Sequence, residues 1–110
     1  MSRPLPSPLR PLGGDPAPGA PAAAARLRAL GVAPHAWSNG PGDRYAAHEH
    51  ATTKLLVCAQ GSITFLVGPD EAPVELRAGD GFVLPAGTRH AAVVGDEGCA
   101  CLEGHRPAEG

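Results

Sequence analysis

The sequence predicts an all-β domain, a sandwich or barrel of short strands, preceded by an extended segment and one short helix. Two observations carry that prediction. The chain of 110 residues holds 15 Gly and 13 Pro with only four aromatics, so turns cut it into short pieces. After Gly31, short apolar runs alternate with turn residues at close, fairly regular intervals. The length suits one core and excludes two separate ones.

Residues 1–20, MSRPLPSPLRPLGGDPAPGA, contain six prolines and little that could bury a face, which predicts a disordered or loosely extended tail. Residues 21–31, PAAAARLRALG, predict a short helix: Pro21 suits the first turn, alanine and leucine favour the helix, and Gly31 suits the stop. Ala23, Leu27 and Leu30 fall on one stripe that would cap something larger. The remaining domain, residues 32–106, carries candidate strands at 33–38, 46–50, 54–59, 62–67, 73–76, 81–84, 90–94 and 99–103. The segments between them, SNGPGD, QGS, GPDEAP, RAGDG, PAGT and GDEG, supply the Gly, Asp, Asn and Pro that turns require.

Charge and hydropathy exclude several functions. The formal net charge is -2, and Lys and Arg form no stripe, so neither nucleic acid nor a lipid surface is an expected partner. No apolar stretch approaches the roughly 18 to 20 residues of a membrane span. Three cysteines, an odd number, argue against a secreted disulfide framework and favour reduced thiols in the cytoplasm. There is no phosphate-binding Gly-rich loop and no nucleophile beside a base in recognisable spacing.

The histidines carry the chemistry. In a regular strand His48 and His50 share a face, with α-carbons about 6.6 Å apart, while Glu49 points away. Two imidazoles so placed can converge on one ion, although two exposed histidines on a strand would read alike. Further on, in GDGFVLPAGTRH, a tight turn at Gly79–Gly81 leads into a buried strand, and Pro85-Ala86-Gly87 turns the chain so that His90 begins the next one. Three neutral imidazoles on a β scaffold, with a coordination position left open, suit a catalytic zinc and also serve iron, nickel or copper.

These two stretches resemble the paired motifs of the cupin superfamily. Gly42, His48, His50 and Gly61 follow G-x(5)-H-x-H-x(3)-E-x(6)-G, with Lys54 where the family has Glu; Gly79, Pro85, Gly87 and His90 follow G-x(5)-P-x-G-x(2)-H-x(3)-N, with Val94 for Asn. The resemblance spans about residues 33–105 and implies a cupin jelly roll, a double-stranded β-helix, often homodimeric, with a metal inside the barrel. His48, His50 and His90 then look like the ligands of one divalent transition metal (zinc, iron, nickel or manganese), and the fourth family ligand is absent. The implied function is a metal-dependent enzyme of dioxygenase or isomerase type. The fold alone does not choose the reaction.

Lys54 cannot simply replace a carboxylate, because a protonated lysine has no lone pair and a nearby dication repels it. It can swing away and leave a three-histidine site, stay with a depressed pKa as a proton acceptor or ligand anchor, or occupy the pocket so that an anion binds without metal. That last case defines a metal-free binding or sensing module, the alternative to a metalloenzyme. A further reading is structural: Lys54 opens an edge strand and snorkels to solvent. Three neutral ligands leave the ion its full charge, so a small acidic molecule is the expected ligand.

Other residues read more plainly. Cys99 and Cys101 on one strand face stand too far apart for an unstrained disulfide and read as packed apolar side chains, or else as thiolate ligands. Cys58 falls on the face of Lys54 and Leu56 and is the cysteine expected to line the pocket. Arg89, His35 and His105 read as surface residues. Trp37, Tyr45, Phe65 and Phe82 read as core or interface aromatics, with Trp37 and Tyr45 also able to shape a pocket mouth.

Overall fold

The structure, a computed structural model, describes residues 4–108. Its elements are β1 (Arg10–Pro11), α1 (Ala20–Ala29), β2 (His35–Asn39), β3 (Arg44–His48), β4 (Thr53–Val67), β5 (Ala72–Arg77), β6 (Gly81–Leu84) and β7 (His90–Arg106). All strands join one antiparallel seven-stranded sheet in the order β1-β6-β4-β7-β2, with β3 also on β7 and β5 also on β4. The sheet closes on itself as the expected jelly roll.

Two long strands replace four of the expected short ones. QGS and GDEG, expected as turns, lie within β4 and β7, whose register shifts between Cys58 and Gln60 and between Gly61 and Ile63. Gly61 (φ 71°) and Gly98 (φ 77°) lie against each other there, and a Cβ added at Gly61 would collide with the Gly98 carbonyl oxygen. Bulges at positive-φ glycines bend a strand without ending its ladder, so the chain rounds the barrel wall instead of reversing.

Strand alternation divides the apolar side chains of β4 between two cores. Leu56 and Cys58 face the barrel interior with Ile63, Phe65, Phe82 and Cys101. Leu55, Val57 and Ala59 face outward and pack under α1 against Ala23, Leu27, Val83 and Leu102. The helical stripe is as expected: Leu27 is wholly buried, Ala23 nearly so, and Leu30 packs against the same cluster.

The Pro-rich segment, expected as a disordered or loosely extended tail, is laid on the barrel from Pro4 onward; residues 1–3 lie outside the described residues. Arg10 and Pro11 pair with Val83 and Phe82, while Leu9 and Leu12 are buried in the two cores. Buried Arg26 of α1 fastens the segment: its guanidinium donates to the carbonyls of Gly13 (2.7 Å), Gly79 (3.0 Å) and Leu12 (3.1 Å). Two leucines and a ladder edge are enough to hold a segment whose composition alone gives no reason to pack.

Candidate metal centre

β3 ends at His48, one residue into the H-x-H stretch. His48 is the register partner of His90 at the start of β7. His50 lies beyond the strand, so a shared strand face does not place it. Its carbonyl instead accepts a hydrogen bond from the Gly87 N–H (2.9 Å), tying the first motif to the Pro85–Gly87 turn of the second. That turn closes on itself through Thr88 N–H to the Pro85 carbonyl (3.2 Å) and delivers His90 to the barrel wall.

The three imidazoles converge. Each offers a ring nitrogen within 4.8 Å of the others. The ring centroids are 4.4 Å apart for His48 and His90, 4.7 Å for His48 and His50, and 5.2 Å for His50 and His90. His48 Nδ1 donates to the Ala46 carbonyl (2.7 Å) and His90 Nδ1 to the Thr88 carbonyl (2.9 Å). A carbonyl can only accept, so both rings carry their proton on Nδ1 and present an Nε2 lone pair.

His48 Nε2 lies 3.1 Å from His50 Nε2. Two nitrogens on one tetrahedral zinc stand about 3.3 Å apart, given Zn–N near 2.05 Å. Burial, followed by the charges of Lys54 and His48, holds His50 below its ordinary pKa. Burial likewise lowers His90, more than its bond to the Thr88 carbonyl raises it. Ring nitrogens gathered at one point and, at His48 and His90, Nδ1 protons held by carbonyls are what a metal requires of histidine ligands, so the donor set fits a transition metal.

Lys54 is not at an edge and does not snorkel. It sits on central β4 between Leu84 of β6 and His105 of β7, and it is 8% exposed, because its face is the barrel interior. Its Nζ lies 3.3 Å from Glu103 Oε1. That oxygen also accepts from Trp37 Nε1 (2.7 Å), and Glu103 Oε2 lies 2.6 Å from His105 Nε2. Burial pushes the Glu103 carboxyl upward, but Lys54, His105 and Trp37 together outweigh it and hold the group below its usual value. A carboxylate is thus present in the site on β7, beside the lysine that replaces the motif's glutamate.

Glu103 was not among the expected site residues. Its signal was strand alternation, which puts Glu103 on the same face as Cys99 and Cys101. Thr52 Oγ1 and Glu103 both hold His105, expected at the surface, at the rim of the site.

A cavity of about 240 Å³ opens over these groups. His48, His50, His90, Lys54 and Glu103 form its polar side, and Trp37, Tyr45, Phe65 and Ala92 its apolar side. Trp37 and Tyr45 stack edge to face at 5.7 Å, and the Tyr45 hydroxyl hydrogen-bonds Asn39. Cys58 does not line the cavity. All three cysteines are buried in the barrel core, where the Cys58 thiol and then burial push Cys101 up, so it remains a thiol. Among the described residues no cysteine joins the histidine cluster. Arg89 and His35 are exposed, as expected, and Phe82 is core.

A small antiparallel barrel with three convergent histidines inside it defines a class, and the comparisons agree. The cupin domain family matches residues 34–104, and the chain belongs to that family. No curated protein matches at a significant level. Among solved structures, an RmlC-like cupin from Shewanella frigidimarina is similar at TM-score 0.60 and 23% identity, over 71% of this chain and 68% of that one. A conserved protein of unknown function from Streptococcus pyogenes is similar at TM-score 0.59 and 19% identity, over 70% and 65%. The DMSP lyase DddQ from Ruegeria pomeroyi is similar at TM-score 0.62 and 25% identity, over 68% of this chain and 38% of the lyase. The match therefore covers two thirds of the first two and well under half of the lyase. No described helix is long and apolar enough to cross a membrane.

Proposed function

We propose that this cupin holds one divalent transition metal (zinc, iron, nickel or manganese) through His48, His50 and His90 and acts, by dioxygenase or isomerase type chemistry, on a small acidic molecule. The convergence of three imidazole nitrogens within 4.8 Å, two of them with Nδ1 committed to a carbonyl, carries the reading. Bound there, such an ion would supply a Lewis acid or an oxygen-binding centre. The chain's own residues do the rest. Ala46 and Thr88 keep two of the rings in the ligating tautomer, the aromatic side chains give the cavity an apolar side, and Lys54 adds positive charge that favours an acid. The similarity to a lyase that acts on a small molecule is compatible with such a role. A cytoplasmic homodimer belongs to the same proposal; β2, last in the strand order, offers an edge for it.

The test is metal content after purification and zinc titration, in wild type and in His48→Ala. The expected result is one ion per chain in wild type and a large loss in the variant. Equal, negligible occupancy in both overturns it. The burial of Lys54 in the cavity favours one other reading, a metal-free anion-binding or sensing module. That reading expects Lys54→Glu to create metal affinity the natural chain lacks; tight metal binding by the wild type refutes it.

A further inference from the structure

The cavity has two places for an acid. One is the face of the three histidines, where the preceding proposal puts a metal. The other is Lys54. An ammonium has three N–H donors, and here the Glu103 carboxylate, at 3.3 Å, takes one. The remaining two have no protein acceptor among the described residues, yet the residue is 8% exposed and lines the cavity. Buried donors of a charged group are seldom left without an acceptor, so these two N–H groups are available to whatever enters the cavity, water or ligand.

Glu103 does not compete with that partner. Its carboxylate already takes three protein donors, Trp37 Nε1, Lys54 Nζ and the His105 ring, and so holds the lysine in place. Lys54 lines the same cavity as His48, His50 and His90. The aromatic lining, Trp37, Tyr45 and Phe65, offers the cavity almost nothing polar beyond the Tyr45 hydroxyl, already bonded to Asn39. A second acid group on the ligand therefore finds its hydrogen bonds at Lys54 and not on the aromatic lining.

The cavity suits a small ligand. At about 30 Å³ per water-sized group, the 240 Å³ cavity holds roughly eight non-hydrogen atoms. A three- or four-carbon dicarboxylate has seven or eight.

Resting on the metal-centre reading, we propose that this pocket is specific for a short dicarboxylate, with one carboxylate at the three-histidine ion and the other on Lys54. Glu103 is the positioning residue that aims Lys54.

The full chain loaded with zinc is titrated calorimetrically with malonate and with acetate. Malonate is expected to bind about tenfold or more tighter than acetate, the worth of one charge-assisted hydrogen bond. Lys54→Gln, which can still donate to Glu103, is expected to bring the two within about twofold, because malonate loses a direct charge-assisted bond and acetate only the nearby charge. Glu103→Gln should reduce the preference about threefold or more, since Nζ then loses its charged holder. Should Lys54→Gln fail to fold, Lys54→Met combined with Glu103→Gln removes both charges together and is read the same way.

Equal affinity for the two acids in wild type, or a preference that survives loss of the lysine, overturns the inference while one zinc per chain leaves the metal centre standing. A full preference in Glu103→Gln overturns the role given to Glu103. If the wild-type chain takes up no zinc, the metal-centre reading falls, and this inference with it.

Discussion

Glu103→Ala removes the carboxylate that faces Lys54 and leaves an ammonium, its side chain 10% exposed, without a counter-charge. Exposed ion pairs contribute about 0 to 1 kcal/mol, whereas removing one partner of a buried pair costs about 3 to 5 kcal/mol. The two side chains are 10% and 16% exposed, near the buried end, but the cavity admits water. The expected loss is therefore at the lower edge of the buried range, about 3 kcal/mol. Lys54→Ala costs less, about 1 to 2 kcal/mol, because Glu103 keeps its bonds to Trp37 and His105. The double variant should fall short of the summed single losses by about 2 kcal/mol, the coupling of a close charge pair. Urea unfolding of the metal-free protein, followed by far-ultraviolet circular dichroism, measures all four chains through their midpoints. A Glu103→Ala loss below about 0.5 kcal/mol, or a double variant equal to the sum of the singles, refutes the assignment of a coupled buried pair.

The same assay run against pH should show stability falling with acid. His50 and His90 sit below their ordinary value of 6.5, so the unfolded chain takes up their protons first; the stability is present above pH 6.5 and is lost as pH falls. Glu103, held below 4.5, adds a second loss of the same sign below that pH. A midpoint unchanged between pH 7.5 and pH 4 in metal-free protein contradicts this. Leu27→Ala, at a wholly buried site under α1, should cost about 3 kcal/mol in urea unfolding while one zinc per chain is still taken up. Gly61→Ala should cost about 2 kcal/mol or more, from positive φ and the collision with the Gly98 carbonyl; a neutral result would mean that the bulge is not where β4 bends.

Much of the site was legible because its rules are local. A turn made by Gly79, Asp80 and Gly81, a rigid Pro85–Gly87 corner and a following His90 need only neighbours a few residues away, and they stand as expected. His50 was found for a partly different reason: its backbone is held by Gly87 across the barrel mouth, not by the strand that carries His48. The two bulges were read as turns because a glycine at positive φ bends a strand or reverses it, and only the pairing of the flanking residues tells which. Cys58 was expected at the pocket because it shares a face with Lys54, but that face runs deeper than the cavity, into the core with Cys101. Leu9 and Leu12 lie in a segment whose prolines announce no fold, and their burial depends on a groove that exists only once β6 and α1 are in place.

The sequence by itself determined the class of domain, the helix and its buried stripe, and the three histidines, because turn chemistry, strand alternation and motif spacing are short-range properties. Only the tertiary structure decided the fate of Lys54. Its partner Glu103 lies on a different strand, set beside it by a β4–β7 register that two bulges shift. A cation on a strand reads alike whether it faces water or a barrel. Burial and the carboxylate opposite made it part of a site, and both arise from pairing strands far apart in the chain.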